Sequence, residues 1–204
     1  MIIDSYDAEK QAALDVANLM AAAARTAPKA CGDDSIIVKI VKGEDLNKLG
    51  DLTSKIGEKN NINYFIRDGK TMHHCHCAVL IGLEDSPLGL GSCGYCGFND
   101  CGECFSNGSH CTLKVTDLGI AVGSAASVAM DHKIDNRVLY SVGKAAVKMG
   151  IFDNQNVKIA YAIPLAVDGK NIFLIKNQYK KNKKSPHFYM WTLSTVWMEF
   201  NNIY

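Results

Sequence analysis

Apolar residues recur at helical spacing over residues 7–27, where Leu14, Val16, Ala17, Leu19, Met20 and Ala24 form a broad face in an alanine-rich stretch. Pro28 and Gly32 stop that helix. The β-branched run over 35–42 predicts a strand. Leu46, Leu49, Leu52 and Ile56 then share one side of a second helix, and 62–66 reads as a short strand. The run AVLIGL at 78–83 has no polar alternation, which predicts a strand buried on both faces. Two helices rich in small residues are expected over 116–130 and 135–150, with Gly119, Gly123 and Gly143 permitting close helix contact. Asp135 is placed to cap the start of the second and Gly150 to end it. A further strand over 157–167 carries Pro164 towards its end. This order predicts an α+β domain with helices packed on a sheet, its crossovers too irregular for a Rossmann repeat.

Length and charge narrow the function. At 204 residues the chain is large enough to bury a proper core, and its 48% apolar and 21% charged content is that of a soluble globular protein. A formal charge of +1 gives no electrostatic case for nucleic acid or an anionic membrane as partner. No apolar run reads as a bilayer span, and the polar start MIIDSYDAEK lacks the features of a secretory signal. A cytoplasmic protein is expected.

The eight cysteines change the picture. Five of them (Cys93, Cys96, Cys101, Cys104 and Cys111) fall in the glycine-rich segment GLGSCGYCGFNDCGECFSNGSHC. In a reducing compartment, clustered thiols hold metals or do redox chemistry more often than they form a disulfide framework. Cys93 and Cys96 reach one centre from a tight turn, with Gly94 and Gly97 free to adopt unusual backbone angles. Soft sulfur donors on one loop suit an iron–sulfur cluster, and glycine amides aimed at it would offset its negative charge. A structural zinc site built from Cys93, Cys96, Cys101 and Cys104 is the alternative, with metal-free redox thiols behind it.

The run Cys93-Gly-Tyr-Cys96-Gly-Phe-Asn-Asp-Cys101 resembles the C-G-x-C-G-x-x-x-C signature of a 4Fe–4S module of anaerobic redox proteins. That resemblance implies Cys93, Cys96, Cys101 and Cys111 as ligands, with Cys104 the alternative fourth. ARTAPKACG, LNKLGDL, NYFIRD, AVLIGL, the cysteine loop, DLGIAVGSAASVAMDHKIDNR, GKAA and AYAIPLAVDGK together resemble an uncharacterised family of ferredoxin-domain proteins. The likeness covers residues 1–175, with the cysteine-rich loop at 91–111 inside that unit. Residues 176–204, lysine-rich and then aromatic, depart from it. They are read as a C-terminal extension packing on its own domain, with a partner-binding arm as the alternative.

A looser resemblance is to the FMN-dependent nitroreductases, carried by Ala27-Pro28, the GIAVGSAASVAM helix and the strand ending at Pro164. It implies a nitroreductase-like α+β fold, with helices on a mainly antiparallel sheet, an inserted cysteine loop, and a homodimer formed through central helices with FMN at the interface. The arginine-rich N-terminal element of that family is replaced here by IIDSYD, which leaves Arg25, Lys29 and Arg137 as candidates for the FMN phosphate. If the chain is an enzyme, the resemblance implies an oxidoreductase working with a redox partner protein or a small-molecule acceptor. A zinc-stabilised interaction module and a cluster-bearing sensor or scaffold without flavin are the alternatives. His73, His74, Cys75, His76 and Cys77 are expected to form a half-buried strand end, a second metal site being the rival reading. Asp117 and Asp135 are read as helix-end anions and Cys31 as a small buried residue.

Overall fold

The computed structural model describes residues 2–153 and 156–174, so the tail singled out at 176–204 lies outside the described residues. Six helices and four strands follow in the order α1 (Ser5–Thr26), β1 (Ile36–Lys42), α2 (Gly43–Asn60), α3 (Asn63–Met72), β2 (Cys77–Glu84), α4 (Cys101–Ser106), α5 (Thr112–Asp131), β3 (Asp135–Asn136), α6 (Tyr140–Met149) and β4 (Val157–Ala166). The strands form one antiparallel sheet in the order β1-β2-β4-β3.

Strand alternation sorts the core into two layers. Cys77, Val79, Ile81 and Leu83 of β2 join Ile163 and Leu165 of β4 against α1 and α5. Ala78 and Leu80 join Ala160 and Ala162 against α2, α3 and α6. With helices on both faces, β2 is buried along all but its last residue, as its unbroken apolar run predicts. On the second face α6 lies directly on β4. A Cβ added at Gly143 would stand 2.0 Å from the Ala160 carbonyl oxygen, so only glycine permits that approach.

Three local expectations differ from the structure. Residues 62–66 are not a strand. Asn61, left-handed at φ 55°, closes α2 and turns the chain into α3, whose Phe65 is buried. Asp135 does not cap a helix, because Asp135 and Asn136 pair with Ala166 and Leu165 and α6 begins only at Tyr140. A sheet edge at Leu165–Ala166 outcompetes the capping preference there. The MHHCHC run is not one strand end but the close of α3, a turn and the entry to β2. His73 bonds Asp51 at 3.1 Å, His76 reaches the Val167 carbonyl, and Cys77 starts the strand.

Helix α5 meets the length and apolarity of a bilayer span by composition alone, contrary to the reading that no segment does. Its packing is that of a core helix. Lys114, Asp117, Leu118, Ala121, Val122, Ala125 and Ala129 form a buried stripe at helical spacing, facing α1 and the sheet. On other sides of the helix Val115, Ile120 and Met130 are exposed, and a Cβ at Gly119 or Gly123 would meet nothing within 4 Å. Of the three glycines expected to permit close helix contact, Gly143 permits a close approach among the described residues, to strand β4, and Gly119 and Gly123 meet none there.

Candidate metal centre

The cysteine loop leaves the sheet after β2 and returns at α5, and both ends are tied down. His110 Nδ1 lies 3.0 Å from the Asp85 carboxylate, while Asp85 exchanges backbone and side-chain bonds with Asn156. Lys114, three residues beyond Cys111, is almost fully buried. Its ammonium donates to Asp33 at 2.8 Å, to Ser86 at 2.8 Å and to the Ser35 hydroxyl. A buried cation must be partnered in this way. The result pins the first turn of α5 to the start of β1 and to the outgoing arm of the loop.

Within the loop, local sequence sets the sulfur positions. The amide of Gly97 (φ 85°) donates to the Gly94 (φ 70°) carbonyl at 2.9 Å, making the tight turn that contains Cys96. Asp100 caps α4 by accepting from the Glu103 amide at 2.8 Å, and Glu103 reaches back to the Asn99 amide. Asp100 is thus the helix N-cap and Glu103 ties down the residue before it, which explains why NDCGEC folds as a helical turn. Cys101 and Cys104 therefore stand three apart on one helical face. Cys111 precedes α5 and makes no capping bond through its sulfur, so the positive end of the helix dipole lies beside it.

All five cysteines, Cys93, Cys96, Cys101, Cys104 and Cys111, line one cavity of about 40 Å³, with Leu90, Tyr95 and Phe105 on its walls. That is room for a small polyatomic group, well above the roughly 10–15 Å³ that one water needs. Cys104 is the most enclosed of them, at 2% exposure, and donates to the His110 carbonyl at 3.7 Å. Burial pushes its thiol up to about 11, and the neighbouring Cys96, Cys111 and Cys101 sulfurs add to the effect. A buried thiol crowded by other sulfurs in this way is one that a cationic centre would stabilise as the thiolate. Among the described residues, no three His, Cys, Asp or Glu side chains draw close enough to hold a single metal ion.

The phosphate candidates are not gathered in the same way. Arg25 binds the Asp34 carboxylate and the Ile36 carbonyl. Lys29, only 5% exposed, caps the end of α1 through the carbonyls of Ala24, Arg25 and Ala27, 3.7 Å from Asp34. Arg137 donates to the Phe173 carbonyl. Each is committed to an internal partner, so in the single chain these residues do not form a phosphate cradle. Asp117 is likewise structural, accepting the Ala30 amide on both oxygens. Cys31 is exposed and not buried as expected, because φ 56° turns it outwards beside Gly32. Cys75 and Cys77 are pushed by burial to about 12 and about 11, which marks them as inert core thiols.

Sequence reasoning misses Lys114 and the His110–Asp85 pair. Lys114 could have been found as one of two charged residues, with Asp117, on α5's buried stripe.

Known proteins agree with this architecture. The chain is 34% identical over 181 residues to an uncharacterized protein of Archaeoglobus fulgidus, across 84% of this chain and 95% of that one. Residues 107–174 match the family described as uncharacterized protein containing a ferredoxin domain (DUF2148). In fold, the chain is similar to a nitroreductase with bound FMN from Desulfitobacterium hafniense, at a TM-score of 0.53 and 13% identity, covering 76% of this chain and 78% of that one. It is also similar to a putative nitroreductase in complex with FMN from Desulfovibrio desulfuricans, at a TM-score of 0.52 and 12% identity, covering 91% and 83%. At such identities the likeness concerns the fold alone. It is the nitroreductase-like α+β fold that the element order and the resemblances led us to expect. The extent of the archaeal relationship and the family match together show that this chain belongs to the family of uncharacterised ferredoxin-domain proteins.

Proposed function

We propose that this chain is a cytoplasmic redox protein that carries a 4Fe–4S cluster in its cysteine loop. The observation that carries the reading is that five cysteines line one cavity beside the N-terminal end of α5. The family's ferredoxin-domain description supports it, and eight unpaired thiols suit a reducing compartment. Such a cluster, when bound, supplies one-electron transfer at a potential set by its hydrogen bonds and exposure. The chain's own residues do the rest. Cys93, Cys96, Cys101 and Cys111 would hold the cluster, and Cys104 stands buried beside them as the alternative fourth ligand. Lys114 and the His110–Asp85 pair hold the loop in place. Exposed Leu90 and Tyr95 on the cavity wall give a donor or acceptor a short route to it.

The commitment of Arg25, Lys29 and Arg137 to internal partners favours a cluster carrier over a flavin enzyme, although the nitroreductases of similar fold hold FMN. A homodimer is part of the proposal, supported by the uncovered small-residue and apolar positions of α5. It takes residues 1–175 as the domain and 176–204 as an extension. The test is an absorption spectrum of anaerobically purified protein before and after dithionite. A broad shoulder near roughly 400 nm that bleaches, and that Cys96→Ser removes, is expected. A colourless, folded, iron-replete preparation with one zinc per chain would replace this reading with a structural zinc module.

A further inference from the structure

A second site lies away from the cysteine loop, in the α2–α3–α6 layer that covers the opposite face of the sheet from α5. The Gly143–Ala160 contact lays α6 on β4, and on that helix Tyr140, Lys144, Val147 and Lys148 follow at i, i+4, i+7 and i+8. These four residues face the turn between α2 and α3, across a cleft of about 460 Å³, with Ile56, Ile62 and Phe65 opposite and Lys158 of β4 at its edge. The volume falls within the range of small-molecule pockets.

The cleft's chemistry is two-sided. Phe65 is buried beneath Tyr140, the two rings meeting edge to face with centroids 5.7 Å apart, and the Tyr64 and Tyr140 hydroxyls lie 2.5 Å from one another. That fixes the Tyr140 ring as a rigid, half-exposed plate on which a flat group can lie. Lys144, Lys148 and Lys158 supply three ammonium groups, and none of them has an ion pair or hydrogen bond among the described residues. By contrast, Lys29, Lys39, Lys48 and Lys114 each have a carboxylate partner. Three like charges held around one cleft repel one another, and a multiply charged anion relieves that repulsion. Lysines on flexible stems bind phosphate as point charges.

We propose that the cleft between α6 and the α2–α3 turn binds a small organic phosphate with a planar ring, of mononucleotide size. The phosphate sits among Lys144, Lys148 and Lys158, and the ring lies against Tyr140 and the apolar floor. This site goes beyond the redox reading and stands without it, since none of its residues belongs to the cysteine loop.

The test is calorimetric titration of the full-length protein, in low salt, with adenosine monophosphate, inorganic phosphate and adenosine in turn. Saturable binding of the monophosphate is expected, with both fragments weaker and with affinity falling as salt rises. Lys144→Gln combined with Lys148→Gln should weaken the monophosphate about tenfold and leave the circular dichroism melt unchanged. Lys158→Gln alone should cost about threefold. Absence of monophosphate binding, or binding that the glutamine variants leave intact, would overturn the site. Inorganic phosphate binding as tightly as the monophosphate would overturn the ring-bearing ligand.

Discussion

Replacing Gly143 with Ala tests the packing that organises half of this molecule. Judged by helix propensity, the substitution should help, since Ala is favoured over Gly by about 1 kcal/mol within a helix. The structure predicts the opposite sign. The new Cβ would stand 2.0 Å from the Ala160 oxygen, 2.5 Å from its carbonyl carbon and 2.7 Å from the Tyr161 Cα. All three are backbone atoms of β4, so no side chain can turn aside, and carbon contacts relax only at about 3.5 Å. Helix α6 must therefore retreat by roughly 1.5 Å. Val142, Ala145 and Ala146, all fully buried, lose contact with β4, and a gap of even 0.5–1 Å forfeits about a quarter to a half of each contact's attraction. The same movement strains the 2.6 Å bond from the Ser141 hydroxyl to buried Asp68. Overpacking costs about 1–3 kcal/mol and a weakened charged hydrogen bond about 1.5 more. After the propensity gain, a net loss of about 2–3 kcal/mol remains. With a urea m-value of about 2 kcal/mol/M, the unfolding midpoint should fall by roughly 1 M. A midpoint equal to or above that of the unsubstituted protein would refute the close approach of α6 to β4.

Asp34 gives a pH prediction. Burial alone would raise its carboxyl, but the Arg25 guanidinium, the Ile36 amide and Lys29 outweigh that and hold it below 3.8. A depressed folded value stabilises the protein above pH 3.8, and that contribution is lost as pH falls through the folded value. Asp34→Asn should therefore destabilise the protein at pH 6 by about 0.5 kcal/mol, discounted for exposure, and by nothing at pH 2, as read by urea midpoints. Alkylation by iodoacetamide at pH 8, followed by peptide mass mapping, should label exposed Cys31 well before Cys75 and Cys77, whose thiols lie at about 12 and about 11. Gly123→Leu, on the open side of α5, should leave the chain folded but convert a dimer to monomers in sedimentation velocity. A dimer of undiminished strength would move the interface elsewhere.

The helices and strands that carry the core were legible wherever periodicity was long or unbroken. The apolar run of β2 and the stripes of α1 and α2 are such cases. Periodicity was ambiguous in short segments such as 62–66, where the φ 55° turn at Asn61 decides for helix α3. At Asp135 a long-range pairing with Ala166 decides against a cap, and no local signal reports it. The cysteines at the candidate centre were visible from spacing, since glycine turns and an Asp100–Glu103 cap bring close sequence neighbours together. Its anchors were not, because Lys114 meets Asp33 and Ser35 from far along the chain. The lysine cleft was equally hidden: it exists only once Gly143 has laid α6 on β4.

On the proposed function, the five-cysteine cavity houses a multi-iron cluster. Its most direct test is iron and acid-labile sulfide quantification on anaerobically reconstituted protein, with electron paramagnetic resonance after dithionite reduction. About four iron and four sulfide per chain and a signal from one reduced cluster are expected, all lost when Cys93 and Cys96 are both replaced by Ser. A folded protein that retains neither iron nor sulfide, or that binds a single zinc with the same cysteines, would contradict it.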